Sequence, residues 1–311
     1  LEEREFPLAS LTLLASPRSA GTKIAFRGEE LTVESADDES FRGIDLVLAS
    51  AGAKATRALR RAIESSGALL IDNSSAFRMD PHVPLVVPEV NGEEIAKHSG
   101  IIANPNCVAI IMSVAVAPIH RIATVERIVV STYQSASGAG IEAMRELEAQ
   151  CRDVLDGRGA VPRALLHPIA FNVFSHDAPI EEDGYNGEES KVIAETRKIL
   201  GAPNMRVTAT SIRVPVFRAH SESINLTLRR PITDADARHV LEGAEGVVVI
   251  DDRANNTFPM PVTATNNDAV YVGRIRSDVS QPEGMGLELF VCGDQLRKGA
   301  ALNAIQIAER V

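Results

Sequence analysis

An α/β fold in two parts is what this chain predicts: a largely parallel sheet covered on both faces, then an α+β region built on a mixed sheet. Three observations carry that expectation. Short unbroken apolar runs, IDLVLASAG at 44–52 and ALLIDNSSAFR at 68–78, flank a helical stretch, KATRALRRAIESSG at 54–67, as strands buried on both faces do. Beyond residue 107 the strand-like segments alternate in polarity, RVTATSIRVPV at 206–216 and SINLTLRR at 223–230 among them, as when one face is covered. The length, 311 residues, is enough for two cores.

Taken in order, SLTLLAS at 10–16 predicts a strand ending in the polar turn PRSAGTK. IAFRG and EELTV predict a short strand pair, and 44–52 a buried strand ending in small residues. The helix that follows stops at Gly67, as helices commonly stop at glycine. LVVPEVN and GIIANPNC each read as a strand followed by a polar loop. VAIIMSVAVAPI at 108–119 is too short for a membrane span and predicts a buried helix. Strands are expected at 127–134, 206–216, 223–230, 247–252, 269–278 and 286–294, and helices at 138–155, 188–200 and 233–242. The tail DQLRKGAALNAIQIAERV predicts one helix returning to the first domain. The domains expected are 1–106, completed by 294–311, and 107–293.

Composition removes several function classes. A net charge of -10 speaks against nucleic acid or an anionic membrane as partner. Three widely spaced cysteines make neither a disulfide scaffold nor a zinc site, and they suit a reducing cytoplasm. No metal site is expected.

Parallel sheets bind ligands in the loops beyond their strand ends, which directs attention to ASPRSAG, ASAGA, DNSSAFR and ANPNC. In the last, Asn104-Pro105-Asn106 makes a turn and Cys107 begins a long apolar helix. Unpaired amides and the helix dipole stabilise a thiolate there, which could attack a carbonyl. A small apolar cysteine opening a core helix is the plainer alternative. Cys151 and Cys292 lack such a setting and read as structural. In STYQSASGAG the small residues, Gly138 among them, let backbone approach a ligand, and Gln134 stands at a strand end. Glu188, Lys191 and Glu195 share a helical face, which a solvated ion-pair ladder would explain. Arg213 could clamp a carboxylate and His220 could move a proton. On an unbroken strand these two would face opposite ways, so a shared pocket needs a turn within FRAH. His82, His98, His120, His167, His176 and His239 read as surface or packing residues. Arg78 lies in a strand-end loop where it could meet phosphate. Ser16, Arg18 and Ser19, with no acidic residue at the strand end, suit a 2'-phosphate and so NADP.

The stretches LLASPRSAG, DNSSAFRMDPHVPLVVPEVN, ANPNC, TYQSASGAG, EESKVIAETRKIL, RVPVFRAHSESINLTL and DQLRKGAALNAIQIAE, in this order over nearly the whole chain, resemble the aspartate-semialdehyde dehydrogenase family. The resemblance implies a Rossmann-like NADP-binding domain and a catalytic and dimerisation domain. It implies NADPH-dependent conversion of L-aspartyl 4-phosphate to L-aspartate 4-semialdehyde and phosphate, for lysine, methionine, threonine and diaminopimelate synthesis, by a homodimer. By it Cys107 is the nucleophile, Gln134 orients the acyl group and His220 is the acid/base. Arg213 would grip the substrate carboxylate, Glu188 its amino end, and Arg78 with Lys191 the phosphate. Ser16, Arg18, Ser19, Ser50, Ala51, Gly52 and Gly138 would meet the cofactor. The family's GATGAVG-like turn has no counterpart before ASPRSAG, and the chain opens at Leu1, so a fragment lacking a first strand, turn and most of a helix is expected. The rival readings are another acyl-phosphate reductase, such as an N-acetylglutamyl-phosphate reductase, and a non-catalytic dimerising protein.

Overall fold

A computed structural model describes all residues, 1–311. The chain forms two compact units, one of Leu1–Val86, Gly92–Asn104 and Ala304–Val311, the other of Val87–Asn91 and Pro105–Asn303.

The first unit holds β1 (Leu13–Ala15), β2 (Lys23–Phe26), β3 (Glu29–Ser35), β4 (Leu46–Ala49), helix α1 (Ala53–Ser66), β5 (Leu69–Asp72) and, further on, β6 (Ile101–Ala103). Its strands make two small sheets, ordered β1-β3-β2 and β4-β5-β6, the second wholly parallel. Every residue of central β5 is buried, as its unbroken LLID run predicts. Its core joins Leu69, Ile71, Val86, Ile95 and Ile102 to Ala304 and Ile307. Helix α1 ends at Gly67, whose φ of 80° is a left-handed cap that a side chain would strain.

The second unit holds α2 (Pro88–Asn91), α3 (Cys107–Ala123), β7 (Val125–Gln134), α4 (Ile141–Leu155), β8 (Phe174–Ser175), α5 (Gly187–Ile199), β9 (Arg206–Arg213) and β10 (His220–Leu228). It continues through α6 (Asp234–Glu242), β11 (Val247–Val249), α7 (Pro261–Ala264), β12 (Val270–Ser277), β13 (Gly286–Gly293) and the start of α8 (Leu302–Ala308). The sheet order is β11-β12-β13-β10-β7-β9-β8, with β7–β9 and β11–β12 parallel and the other pairs antiparallel. It is the mixed sheet that the alternating segments predict. Along β7, Ile128, Val130, Thr132 and Gln134 point inward and are buried, while Tyr133 on the opposite face is exposed. Helix α3 packs on the inner face and is apolar all round, so it is buried along nearly its whole length.

Two expectations need correction. In LVVPEVN only Leu85 makes a strand bridge, to Ala103, and Pro88–Asn91 is a short helix. Proline's fixed φ and missing N–H suit a first helical turn, and Asn91 Oδ1 accepts the Val87 N–H at 2.9 Å. The tail is not one α-helix, because Arg297–Ala301 is a π-helical turn ahead of α8.

The inner face also holds a buried acid. Both carboxyl oxygens of Glu222 on β10 are buried without a hydrogen-bond partner, and burial raises its carboxyl well above the ordinary range. The folded protein therefore keeps a proton there that the unfolded chain releases once pH exceeds the ordinary value, so this group costs stability as pH rises. Glu222→Gln should gain stability over the wild type as pH rises above about 5, by up to about 1.4 kcal/mol per pH unit. Urea unfolding across that range checks it; parallel profiles for the two proteins would refute it.

Candidate active site

Cys107 is the first residue of α3, and Asn106 is its cap. The Asn106 side-chain oxygen accepts the N–H groups of Val108 (3.0 Å) and Ala109 (3.3 Å). Asn106 is itself fixed: its N–H donates to Glu195 Oε2 at 2.6 Å, and Nδ2 donates to Glu188 Oε1 at 2.8 Å. The half-buried cysteine thus sits on a turn held from two sides. The π-helical turn brings Gly299 against it, where an added Cβ would lie 3.0 Å from the cysteine Cβ. No cysteine is in a disulfide. Cys292 is poorly suited to attack, since burial pushes its thiol up to about 12.

At one end of the sheet β7 stands between β9 and β10. Gln134 pairs with Arg213, and Ser221 pairs with Tyr133, so Arg213 and His220 reach the same end on different strands. The turn through FRAH makes this possible, with Ala219 at a φ of 69°. His220 Nδ1 accepts the Ser135 N–H at 3.1 Å, which places the ring proton on Nε2. Nε2 is buried with no protein partner. Burial, then the charges of Arg213 and His176, lower His220 to about 3, so the imidazole is neutral at pH 7. A Cβ added at Gly138 would lie 3.0 Å from His220 Cε1 and 3.2 Å from Nε2. With His220 as the acid/base that the resemblance implies, Gly138→Ala should therefore lower kcat by about 10- to 100-fold, since small displacements of such a group are costly. Steady-state kinetics checks this, and an unchanged kcat would mean that the imidazole need not sit there.

Helix α5 starts with a capping box, the Asn186 side chain accepting the Glu189 N–H and Glu189 Oε2 accepting that of Asn186. This presents Glu188, which is buried and accepts from Asn106 Nδ2 and, at 3.5 Å, Gln134 Nε2, with Lys191 Nζ 3.5 Å from its other oxygen. Burial raises the Glu188 carboxyl, but His176, Asn106, Lys191 and Gln134 outweigh it and hold the group below the ordinary range. The solvated ladder is thus not what forms: Glu188 and Glu195 turn inward to Asn106. Arg213, also buried, donates from Nη1 to Ser135 O (2.9 Å) and from Nη2 to Asp177 Oδ1 (3.0 Å), with His176 Nε2 at 3.0 Å from Nη2. His176, which the sequence suggests is a surface or packing residue, belongs to this cluster, and so does Asp177, which carries no motif. Their only signal in the sequence is two adjacent titratable residues in a loop.

Hydrogen bonds and strand pairing therefore connect Asn106, Gln134, Ser135, Glu188, Lys191, Arg213 and His220, with Cys107 next in chain to Asn106. Gln295 fastens the same turns, its Nε2 donating to Ser137 Oγ and its Oε1 accepting the Ala219 N–H at 2.9 Å. Nothing in the sequence distinguished it.

The remaining candidates lie in the first unit. Arg78 is buried and donates to two backbone carbonyls, Asn104 O at 2.9 Å and Asn73 O at 2.7 Å. Ser16 and Arg18 directly follow β1 and are exposed, with Ser19 half-buried beside them. Ser50, Ala51 and Gly52 join β4 to α1 and are exposed. Gly52 caps α1 at a φ of 83° with no side-chain cap, which leaves first-turn amides for an anion. An open serine–arginine loop and an uncapped helix start fit a phosphorylated nucleotide.

Residues 1–98 match the family model described as semialdehyde dehydrogenase, NAD binding domain, and residues 116–298 that of the semialdehyde dehydrogenase dimerisation domain. The chain is 53% identical to the aspartate-semialdehyde dehydrogenase of Synechocystis sp., over 99% of this chain and 91% of the relative. Against that of Bacillus subtilis the identity is 44%, with the same coverage of 99% and 91%. The crystal structure of aspartate semialdehyde dehydrogenase II from Vibrio cholerae superposes with a TM-score of 0.95 at 40% identity, covering 99% of this chain and 91% of that one. A model matching more than half of the chain and relatives matching nearly all of it carry one conclusion: this chain belongs to the aspartate-semialdehyde dehydrogenase family.

Proposed function

We propose that this chain converts L-aspartyl 4-phosphate and NADPH to L-aspartate 4-semialdehyde, phosphate and NADP through a thioester on Cys107. The observation that supports it most is the neutral His220, its Nε2 proton without a partner, at the sheet end that also carries Gln134 and Arg213. The Cys107 thiolate attacks the acyl carbon, and the carbon–oxygen bond to phosphate breaks, leaving the thioester. Gln134 orients the acyl group and Lys191 offers a cation to the departing phosphate. NADPH supplies the hydride that reduces the acyl carbon. His220 donates an Nε2–H hydrogen bond to the oxygen of the tetrahedral adduct and holds its charge until the carbon–sulfur bond breaks, which returns the thiolate and frees the aldehyde. Arg213 holds the substrate's α-carboxylate and Glu188 its ammonium group, since a fixed cation and a fixed anion match the two charges on one carbon.

Ser16, Arg18 and Ser19 would hold the cofactor's 2'-phosphate, while Ser50, Ala51 and Gly52 would lie along its pyrophosphate. Strands β7, β10 and β13 leave an outer face with Tyr133 and Phe290, whose rings lie 6.4 Å apart. A second copy covering this face makes the homodimer, as an isologous contact would. No helix is long and apolar enough to cross a membrane, and unbridged cysteines suit a reducing cytoplasm. The test is NADP reduction by the protein with L-aspartate semialdehyde. Turnover that requires phosphate is expected; turnover without phosphate, or none in the folded protein, would overturn the reading.

A further inference from the structure

Arg213 is buried, yet its carboxylate-binding edge is only half engaged. A guanidinium grips a carboxylate side-on through Nε and one terminal nitrogen, in two parallel bonds. Here Nη2 donates to one oxygen of Asp177, while the buried Nε has no partner. Asp177 is the looser of the pair, with a side chain 23% exposed against 2% for Arg213. Its carboxyl lies below the ordinary range, because the Arg213 hydrogen bond and charge outweigh the opposing effect of burial. The backbone on either side is tied without it. The His176 N–H donates to Ser211 O at 2.8 Å, and the Ala178 N–H donates to His176 Nδ1 at 3.1 Å. Rotation of one side chain would therefore free Nη2 from Asp177, with His176 Nε2 still 3.0 Å from it, and leave the loop in place.

We propose that Asp177 is a built-in competitor for the substrate's carboxylate at Arg213 and so sets affinity and selectivity at that end of the site. A ligand offering two oxygens, to Nε and Nη2 together, replaces a contact made by one. A ligand offering a single acceptor gains too little to displace it. The inference rests on Arg213 as the carboxylate residue of the proposed reaction. While Asp177 occupies the arginine, only the released fraction is competent to bind, and apparent affinity falls by that fraction.

Asp177→Asn keeps the shape and removes the charge. It should lower KM for L-aspartate semialdehyde by about three- to tenfold and leave kcat within about twofold, whereas Asp177→Glu stays near the wild type. L-2-aminobutyrate has the amino-acid end without a reactive carbonyl, and its calorimetric Kd should fall in parallel. A KM and Kd that stay the same or rise in Asp177→Asn would overturn the proposal, the rise meaning that Asp177 braces Arg213 or meets the ammonium group. If no variant turns over but the Kd still falls, the competitor stands and the assigned reaction fails. Normal turnover with an unmoved Kd means the reverse.

Discussion

Cys107→Ala is expected to abolish turnover, lowering kcat by roughly four to six orders of magnitude, while the fold survives. The size follows from what is lost: without sulfur no thioester forms, and no other cysteine is placed to replace it. Cys151 sits on α4, and the Cys292 thiol is raised to about 12 by burial. The fold should survive because α3 does not depend on the thiol. Its cap is Asn106, and its buried apolar residues, Val108 to Ala117 among them, make the contacts. Removing one half-buried sulfur costs about 1 kcal/mol or less, small beside a typical stability of about 5–15 kcal/mol. Kinetics and urea unfolding of one preparation measure both effects. Retained turnover would sink the nucleophile assignment, whereas collapse of the fold would make the cysteine structural.

His220→Asn should lower kcat by roughly 10²- to 10⁴-fold and leave KM for the semialdehyde nearly unchanged. Asparagine still offers an oxygen to the Ser135 N–H, but nothing replaces the hydrogen on Nε2. The same substitution has a signature in stability. In the folded protein His220 titrates at about 3, against an ordinary 6.5, so the unfolded chain takes up its proton first as pH falls. Stability is lost as pH drops from the unfolded value toward the folded one, at up to about 1.4 kcal/mol per pH unit. The asparagine variant should show an acid limb shallower by one proton. Identical slopes would mean that the imidazole is not held neutral by the fold.

Much of this was legible in the sequence because the signals were local. The largely apolar run at 108–119 is short of a membrane span and reads as a buried helix, and Asn106-Cys107 marks its start. Alternation along 206–213 and 223–228 gave the one-faced strands β9 and β10. What escaped depended on contacts distant in sequence. Asp177 follows a strand of only two residues and meets Arg213 through pairing with β9, which no periodicity announces. Arg213 and His220 looked incompatible on one strand; the turn between them moves each to a different neighbour of β7. Glu188 and Glu195 had helical spacing for a surface ladder, and only the tertiary position of Asn106 turns both inward. The short helix at Pro88 shows the reverse case, where a proline signal was local but the preceding apolar run outweighed it.

The most direct test of the thioester mechanism is the mass of the Cys107 peptide after mixing the protein with L-aspartate semialdehyde and NADP, phosphate being withheld. An aspartyl adduct confined to Cys107, discharged when phosphate is added, is the predicted result. A peptide that stays unmodified while NADP is reduced, or an adduct on Cys151 or Cys292 instead, would contradict it.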